Sequence, residues 1–354
     1  MTNHIYAAQE LEGRTLSSGW KVLRKIDYQE ETKDGTLGDF SVYYEVERDG
    51  LVCFMKAIDF SKYMTLKVEG QKTTELLSKM LEDFHYEREL SMHCQKKRVT
   101  KVAFVIDSDE EDVDDYIYGV VPYLIFEKAD CDVRSMLAFN KKMDFAWKMK
   151  SLHDIAVGLQ QLHNAGVSHQ NLKPSNVLLF KGNSKIGDLG KALCPELNSK
   201  LYDVEFRGDF SYEPPELLYG YPMQDWHMKS YLADCYVLGS LIVYYLVGVT
   251  MNGILFRYLP NHFHPSTYVI PFNAVKDYLM DAFEKALTDV ESSIYEQPLK
   301  ERIINVIRYL CCPDPLRRGH PKTIDSTDSN YNLERFISEL NYLYRKAEHE
   351  LLKG

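Results

Sequence analysis

Two charged residues stand where the apolar pattern of this chain calls for carbon. In segment 51–59 the period-two alternation of a strand puts Val52, Phe54, Lys56 and Ile58 on one face. In segment 73–93 Leu77, Met80, Phe84 and Leu90 form the apolar stripe of a helix, and Glu87 falls within that stripe. Taken singly, each charge can be a side chain snorkelling from the end of its element. Taken together, they predict a Lys56–Glu87 ion pair, because a buried charge needs a partner of opposite sign.

The segments around this pair divide the chain by periodicity. Residues 19–26, 40–47 and 51–59 read as strands, with Asp49-Gly50 turning between the last two. Residues 102–106 and 117–127 read as two more. The acidic run 107–115 between them lacks the glycine and spacing of an EF-hand loop and is expected to be a solvated connection. Helical spacing then takes over. Leu152, Ile155, Ala156, Leu159 and Leu162 recur on one face, with Gly166 as a C-terminal cap. Segments 231–249, 275–290 and 301–312 read as helices, and Leu333, Phe336, Ile337, Leu340 and Tyr344 stripe a last one. A strand-rich part followed by a helix-rich part predicts an α+β chain without internal repeats.

Composition removes several function classes. The 354 residues carry a net charge of −10, which argues against nonspecific binding to nucleic acid or to an anionic membrane, since both require a basic field. The seven cysteines are odd in number and include no C-x-x-C pair, so a reducing, cytoplasmic compartment is expected rather than a disulfide framework or zinc site. No signal peptide is visible in residues 1–19. The apolar stretch 237–256 is interrupted by Gly239, Gly248, Asn252 and Gly253, and reads as a buried core helix rather than a membrane span of about 20 residues.

The chemistry concentrates in two short motifs. His169-Gln170-Asn171-Leu172-Lys173-Pro174-Ser175-Asn176 is followed, 12 residues after Asn176, by Asp188-Leu189-Gly190. This order resembles the H-R-D-L-K-P-x-N catalytic loop and D-F-G segment of eukaryotic-type protein kinases. Lys173-Pro174 follows the Ser/Thr form. The resemblance covers roughly residues 18–322 and is strengthened by Pro214-Pro215-Glu216, Asp234 and Arg318, which match architectural positions of that superfamily, with Glu216 expected to pair with Arg318. It implies a bilobal kinase-like fold: an N-terminal extension (1–17), a small antiparallel β lobe plus one helix (18–128), a larger helical lobe (129–322) and a C-terminal helical extension (323–354).

The resemblance also implies ATP and Mg²⁺ as cofactors and a protein as substrate. Lys56 would contact the α- and β-phosphates and Glu87 would hold it. Asn176 and Asp188 would bind the metal, as oxygen donors suited to a hard cation. Val42 would roof the adenine and Leu178 would floor it. Backbone groups of Glu127 and Ala129 would meet the adenine edge beside a Phe126 gatekeeper. Counting back from Val42, the glycine-rich pattern lands on Gly35, Leu37 and Phe40, with Gly38 off register, so phosphate wrapping by that loop is weakly specified.

Two positions depart from the family. Gln170 replaces an arginine that receives an activation-loop phosphate, so activity is expected not to depend on phosphorylation of segment 191–213. Asn171 replaces the aspartate that orients the substrate hydroxyl and accepts its proton. An amide is no useful base, and general-base assistance is worth about 10²–10⁴-fold in rate. Three explanations stand open. The residue is an Asp-to-Asn inactivation of a Ser/Thr kinase; or it is natural, in a nucleotide-binding pseudokinase that acts as a switch or scaffold; or another residue supplies the missing function. A small-molecule phosphotransferase fits less well, because such enzymes generally lack Lys173-Pro174 and Pro215-Glu216.

Overall fold

The computed structural model describes residues 6–26, 40–64, 72–114, 116, 119–139, 143–203, 205–266, 270–295, 298–327 and 329–353. Gly35, Leu37 and Gly38 of the expected glycine-rich loop lie outside them, as does the start of the strand expected from residue 117. The chain forms two compact units, one β-rich and one mostly helical, which is the expected α+β kinase architecture.

The first unit is a five-stranded antiparallel sheet with one long helix. The strands are β1 (Lys21–Ile26), β2 (Ser41–Arg48), β3 (Leu51–Ile58), β4 (Val105–Asp112) and β5 (Val120–Glu127), in the order β1-β2-β3-β5-β4. After the short α1 (Phe60–Met64), α2 runs over Thr73–Lys96 and buries Leu76, Met80, Phe84, Glu87 and Leu90. Leu76 therefore takes the place expected of Leu77, which is half-buried.

Both faces of this sheet are covered. One face packs Ile58 and Leu124 against Leu76, Met80 and Phe84 of α2. The other packs Val42, Tyr44, Val46, Cys53, Met55, Ala57, Tyr123 and Ile125 against Ala7, Ala8, Leu11, Leu16 and Trp20. The N-terminal segment thus contributes to the core of this unit. Polar contacts fix it there: Tyr44 donates to the Ala8 carbonyl at 2.7 Å, and Trp20 Nε1 donates to Asp107 at 2.9 Å.

The acidic run corrects one expectation. Residues 107–112 are strand rather than a solvated connection, with Asp107, Asp109 and Glu111 opposite Ile125, Tyr123 and Val121. β4 is an edge strand, where charged side chains are tolerated and block further pairing. Two of its carboxylates are also used. Arg48 donates to Asp107 at 2.8 Å while its guanidinium lies 4.3 Å over the Trp20 ring, and Ser17 donates to Glu111 through both its amide and its hydroxyl.

The second unit is built on buried helices. A small sheet, β6 (Cys131–Asp132), β7 (Val177–Phe180) and β8 (Asn183–Ile186), lies among α3 (Val133–Phe139), α4 (Phe145–Asn164), α5 (Pro215–Leu218), α6 (Trp226–Val247), α7 (Met251–Leu255), α8 (Phe272–Ser292), α9 (Lys300–Leu310), α10 (Pro321–Thr327) and α11 (Glu334–Leu351). By length and composition alone α6 could cross a bilayer, but 83% of its apolar window is buried inside the unit, and it ends at Gly248 in the left-handed region (φ 76°). α11 packs along α4, where the Leu333 amide donates to Gln160 at 2.8 Å.

Candidate active site

In the first unit, β3 and α2 bring Lys56 and Glu87 together. Lys56 Nζ donates to both carboxylate oxygens of Glu87, at 2.9 and 3.1 Å, and lies 3.9 Å from Asp188 Oδ1. Lys56 and Glu87 are 8% and 6% exposed. Burial pulls the pKa of the Lys56 ammonium down, but Glu87 and then Asp188 outweigh it, so the pKa is raised and the lysine stays charged. Asp188 itself is held at φ 57°, a left-handed conformation uncommon for a residue other than glycine. Gly190 closes the turn, where an added Cβ would come within 3.3 Å of a Glu87 oxygen.

The strand register corrects one site residue. Val42 lies opposite Ala57 and belongs to the core on the far face of the sheet from Lys56. The β2 residue opposite Lys56 is Tyr43. The expectation failed because a one-residue slip in register exchanges the two faces of a strand, and both faces of this sheet are apolar. Counting the glycine pattern back from Tyr43 instead puts Gly38 in register at its second glycine.

Tyr43 also stacks on Phe54, with ring centroids 5.4 Å apart, and Phe54 lies 6.4 Å from Phe126. Phe54 stands two residues before Lys56, where the family's V-A-I-K motif has a small alanine. A row of three rings therefore flanks the lysine. Glu127 ends β5 opposite Cys53, and Ala129 follows in the connection out of the sheet.

In the second unit, Asp234 of α6 organises the 168–176 loop. It accepts hydrogen bonds from the His169 amide (2.9 Å), the Gln170 amide (2.8 Å) and the Ser168 hydroxyl (2.8 Å), and its Oδ2 is 3.0 Å from His163 Nε2. Gln170 adopts φ 66°, and its side-chain amide turns inward to Ser168 Oγ at 2.7 Å. Asn176 Nδ2 donates to the Asn171 carbonyl at 2.8 Å. With its nitrogen so engaged, the Asn176 side chain keeps its amide oxygen as an acceptor, an oxygen donor of the kind a hard cation takes. Leu178 packs against Gly187, where an added Cβ would meet its side chain at 2.7 Å.

Asn171 is the anomaly of this loop. It is 2% exposed, yet neither Oδ1 nor Nδ2 has a hydrogen-bond partner among the described residues. Leaving a buried amide unsatisfied costs about 1–3 kcal/mol. Two residues on, Lys173 Nζ lies 3.9 Å from Asp209 Oδ2. Further from the loop, Glu216 and Arg318 form a bidentate pair at 2.6 and 2.7 Å, and both are fully buried.

A family model described as "Protein kinase domain" matches residues 50–326. The chain belongs to the protein kinase family. It is 38% identical over 101 residues to Cyclin-dependent kinase 12 of Caenorhabditis elegans, covering 28% of this chain and 14% of that one. It is 27% identical over 191 residues to Mitogen-activated protein kinase hog1 of Botryotinia fuckeliana, covering 52% and 48%. It is 26% identical over 225 residues to Serine/threonine-protein kinase MPS1 of Saccharomyces cerevisiae, covering 62% and 26%. The chain thus matches less than half the length of each of these curated relatives.

Sequence reasoning missed three residues that lie beside predicted ones, Tyr43 and Phe54 near Lys56 and Asp209 near Lys173. Tyr43 was hidden by the register of β2. Phe54 was counted as one more apolar residue, although its offset from Lys56 marked it as too large for the motif. Asp209 gave no signal, because an aspartate before a Phe-Ser-Tyr turn reads as an ordinary helix cap.

Proposed function

We propose that this chain is an ATP- and Mg²⁺-dependent protein kinase of the Ser/Thr class whose phosphoryl transfer is slowed by Asn171. The observation that carries this reading is the buried Lys56–Glu87 pair with the Asp188 carboxylate 3.9 Å from the lysine. Two carboxylates beside one ammonium are an arrangement that suits a divalent cation bridging to phosphate.

Lys56 would orient the α- and β-phosphates, and Glu87 fixes the lysine in one rotamer. Asn176 and Asp188 would hold the cation, which neutralises charge on the phosphate oxygens as transfer proceeds. Lys173 would face the transferring group. Glu127 and Ala129 would offer backbone groups to the adenine edge, with Leu178 beneath the base. The names of the relatives support hydroxyl groups of proteins as acceptors. The odd cysteine count without a C-x-x-C pair supports a reducing, cytoplasmic setting.

A specific observation favours a second reading, a natural pseudokinase acting as a nucleotide-binding switch or scaffold. Phe54 replaces a small residue on the Lys56 face and its ring is already stacked with Tyr43. One experiment separates the two. Asn171→Asp is expected to raise Ser/Thr phosphotransfer by about 10²–10⁴-fold with nucleotide affinity unchanged. Bound ATP without any gain in transfer would leave the scaffold reading standing.

A further inference from the structure

The carboxylate missing from position 171 has a counterpart nearby. Asp209 lies in the 205–213 segment, and three features place it at the catalytic loop. Its Oδ2 lies 3.9 Å from Lys173 Nζ. Its neighbour Gly208 packs so closely on the loop that an added Cβ would fall 2.1 Å from the Gln170 carbonyl oxygen. Its Oδ1 accepts from the Ser211 amide at 2.8 Å and the Ser211 hydroxyl at 2.7 Å, which fixes the side-chain rotamer and leaves Oδ2 to face the lysine.

The segment behind it is anchored. Asn252 of α7 donates to the Glu213 carbonyl at 2.8 Å, and Tyr236 of α6 donates to Asn252 at 2.6 Å. The Asp209 and Lys173 side chains are 15% and 13% exposed, so both are shielded yet reachable.

The 3.9 Å separation is itself informative. It is too long for a direct hydrogen bond, and it leaves room for one oxygen to sit about 2.8 Å from each group. An acceptor hydroxyl in that position would meet a carboxylate and an ammonium at once. Asn171 offers only a neutral amide.

We infer that Asp209 is the substitute base of this kinase: it accepts the hydroxyl proton that the residue at 171 cannot take. The inference rests on the kinase reading above and deepens it. In the step, the acceptor oxygen forms its bond to the γ-phosphorus of a nucleoside triphosphate while the bond to the β,γ-bridging oxygen breaks. The nucleoside diphosphate leaves, and the hydroxyl proton passes to Asp209 and then to solvent. Lys173 faces the charge that develops on the transferring group.

The test compares four full-length chains: unchanged, Asp209→Asn, Asn171→Asp and the double variant. Asp209→Asn keeps an oxygen for the Ser211 cap, so melting temperature and fluorescent-nucleotide affinity should stay unchanged. Single-turnover transfer to a degenerate Ser-peptide library should fall at least roughly tenfold. In the Asn171→Asp background the same change should cost less than threefold, since the loop then carries its own base. A binding readout without nucleotide accompanies it. The unchanged chain should prefer the Ser library over its Ala counterpart by about tenfold, and Asp209→Ala should abolish that preference.

A rate for Asp209→Asn within twofold of the unchanged chain overturns the inference. So does an unchanged chain that transfers nothing while Asn171→Asp is active. If every chain binds ATP and none transfers phosphate, the kinase reading fails, and Asp209 with it.

Discussion

Two buried ion pairs in this chain look alike in composition and differ in closure. Arg318 meets Glu216 through two hydrogen bonds and spends its remaining donors on the carbonyls of Cys312 and Leu232. Nothing is left over, and both side chains are sealed from water. Lys56 also meets its glutamate twice, but a second carboxylate, Asp188, stands 3.9 Å away with its side chain 32% exposed. The first pair is neutral and closed, which is what a structural tie requires. The second sets two carboxylates beside one ammonium and opens to solvent at Asp188, which is what a site for a cationic partner requires.

The sharpest way to break the comparison is to remove each cation in turn. Arg318→Met strands the Glu216 carboxylate where no water reaches, and removing one partner of a buried pair costs about 3–5 kcal/mol. Denaturant melts should show that loss. Lys56→Met leaves a Glu87 carboxyl whose pKa is already raised, first by burial and also by Asp188, so it can hold a proton and be neutral, and the stability cost should be smaller, about 1–2 kcal/mol. Its main effect should appear instead in fluorescent-ATP titrations, as a loss of about tenfold in affinity. Equal stability costs for the two variants would remove the distinction between a tie and a site.

A smaller effect comes from Glu213, close to the closed pair. Its carboxyl is pushed up to about 7, first by burial and then by the carboxylates of Glu205 and Glu216. An unfolded glutamate titrates near pH ~4.3, so the folded chain holds this proton more tightly. Stability from this group is therefore complete below about pH 4 and is lost as pH rises toward 7. Glu213→Gln removes the charge and keeps the shape. It should raise the melting temperature by roughly 2 °C at about pH 8 and leave it unchanged at about pH 4.

Much of this was legible in the residues because charge conflicts with periodicity are local. Lys56 interrupts a two-residue period and Glu87 a helical one, and each can be seen from its own neighbours. The same rule explains the failure at Val42. Both faces of β2 and β3 are covered, by α2 on one side and by residues 7–20 on the other. Apolar alternation then carries no information about which face holds the site. The acidic strand β4 misled for a related reason: edge strands are marked by charge, and charge also marks loops. Asp209 lay beyond any local reading, since its meaning comes from Lys173, far away in the chain.

The N-terminal segment has a consequence for how this protein is made. Trp20 and Ser17 leave the ribosome well before their partners Asp107 and Glu111. Until β5 appears, the apolar side chains of Leu11, Leu16 and Trp20 have no completed sheet to cover. A nascent chain of this protein must therefore carry these apolar side chains unburied until β5 has followed them, a period in which exposed hydrophobic surface invites misassembly.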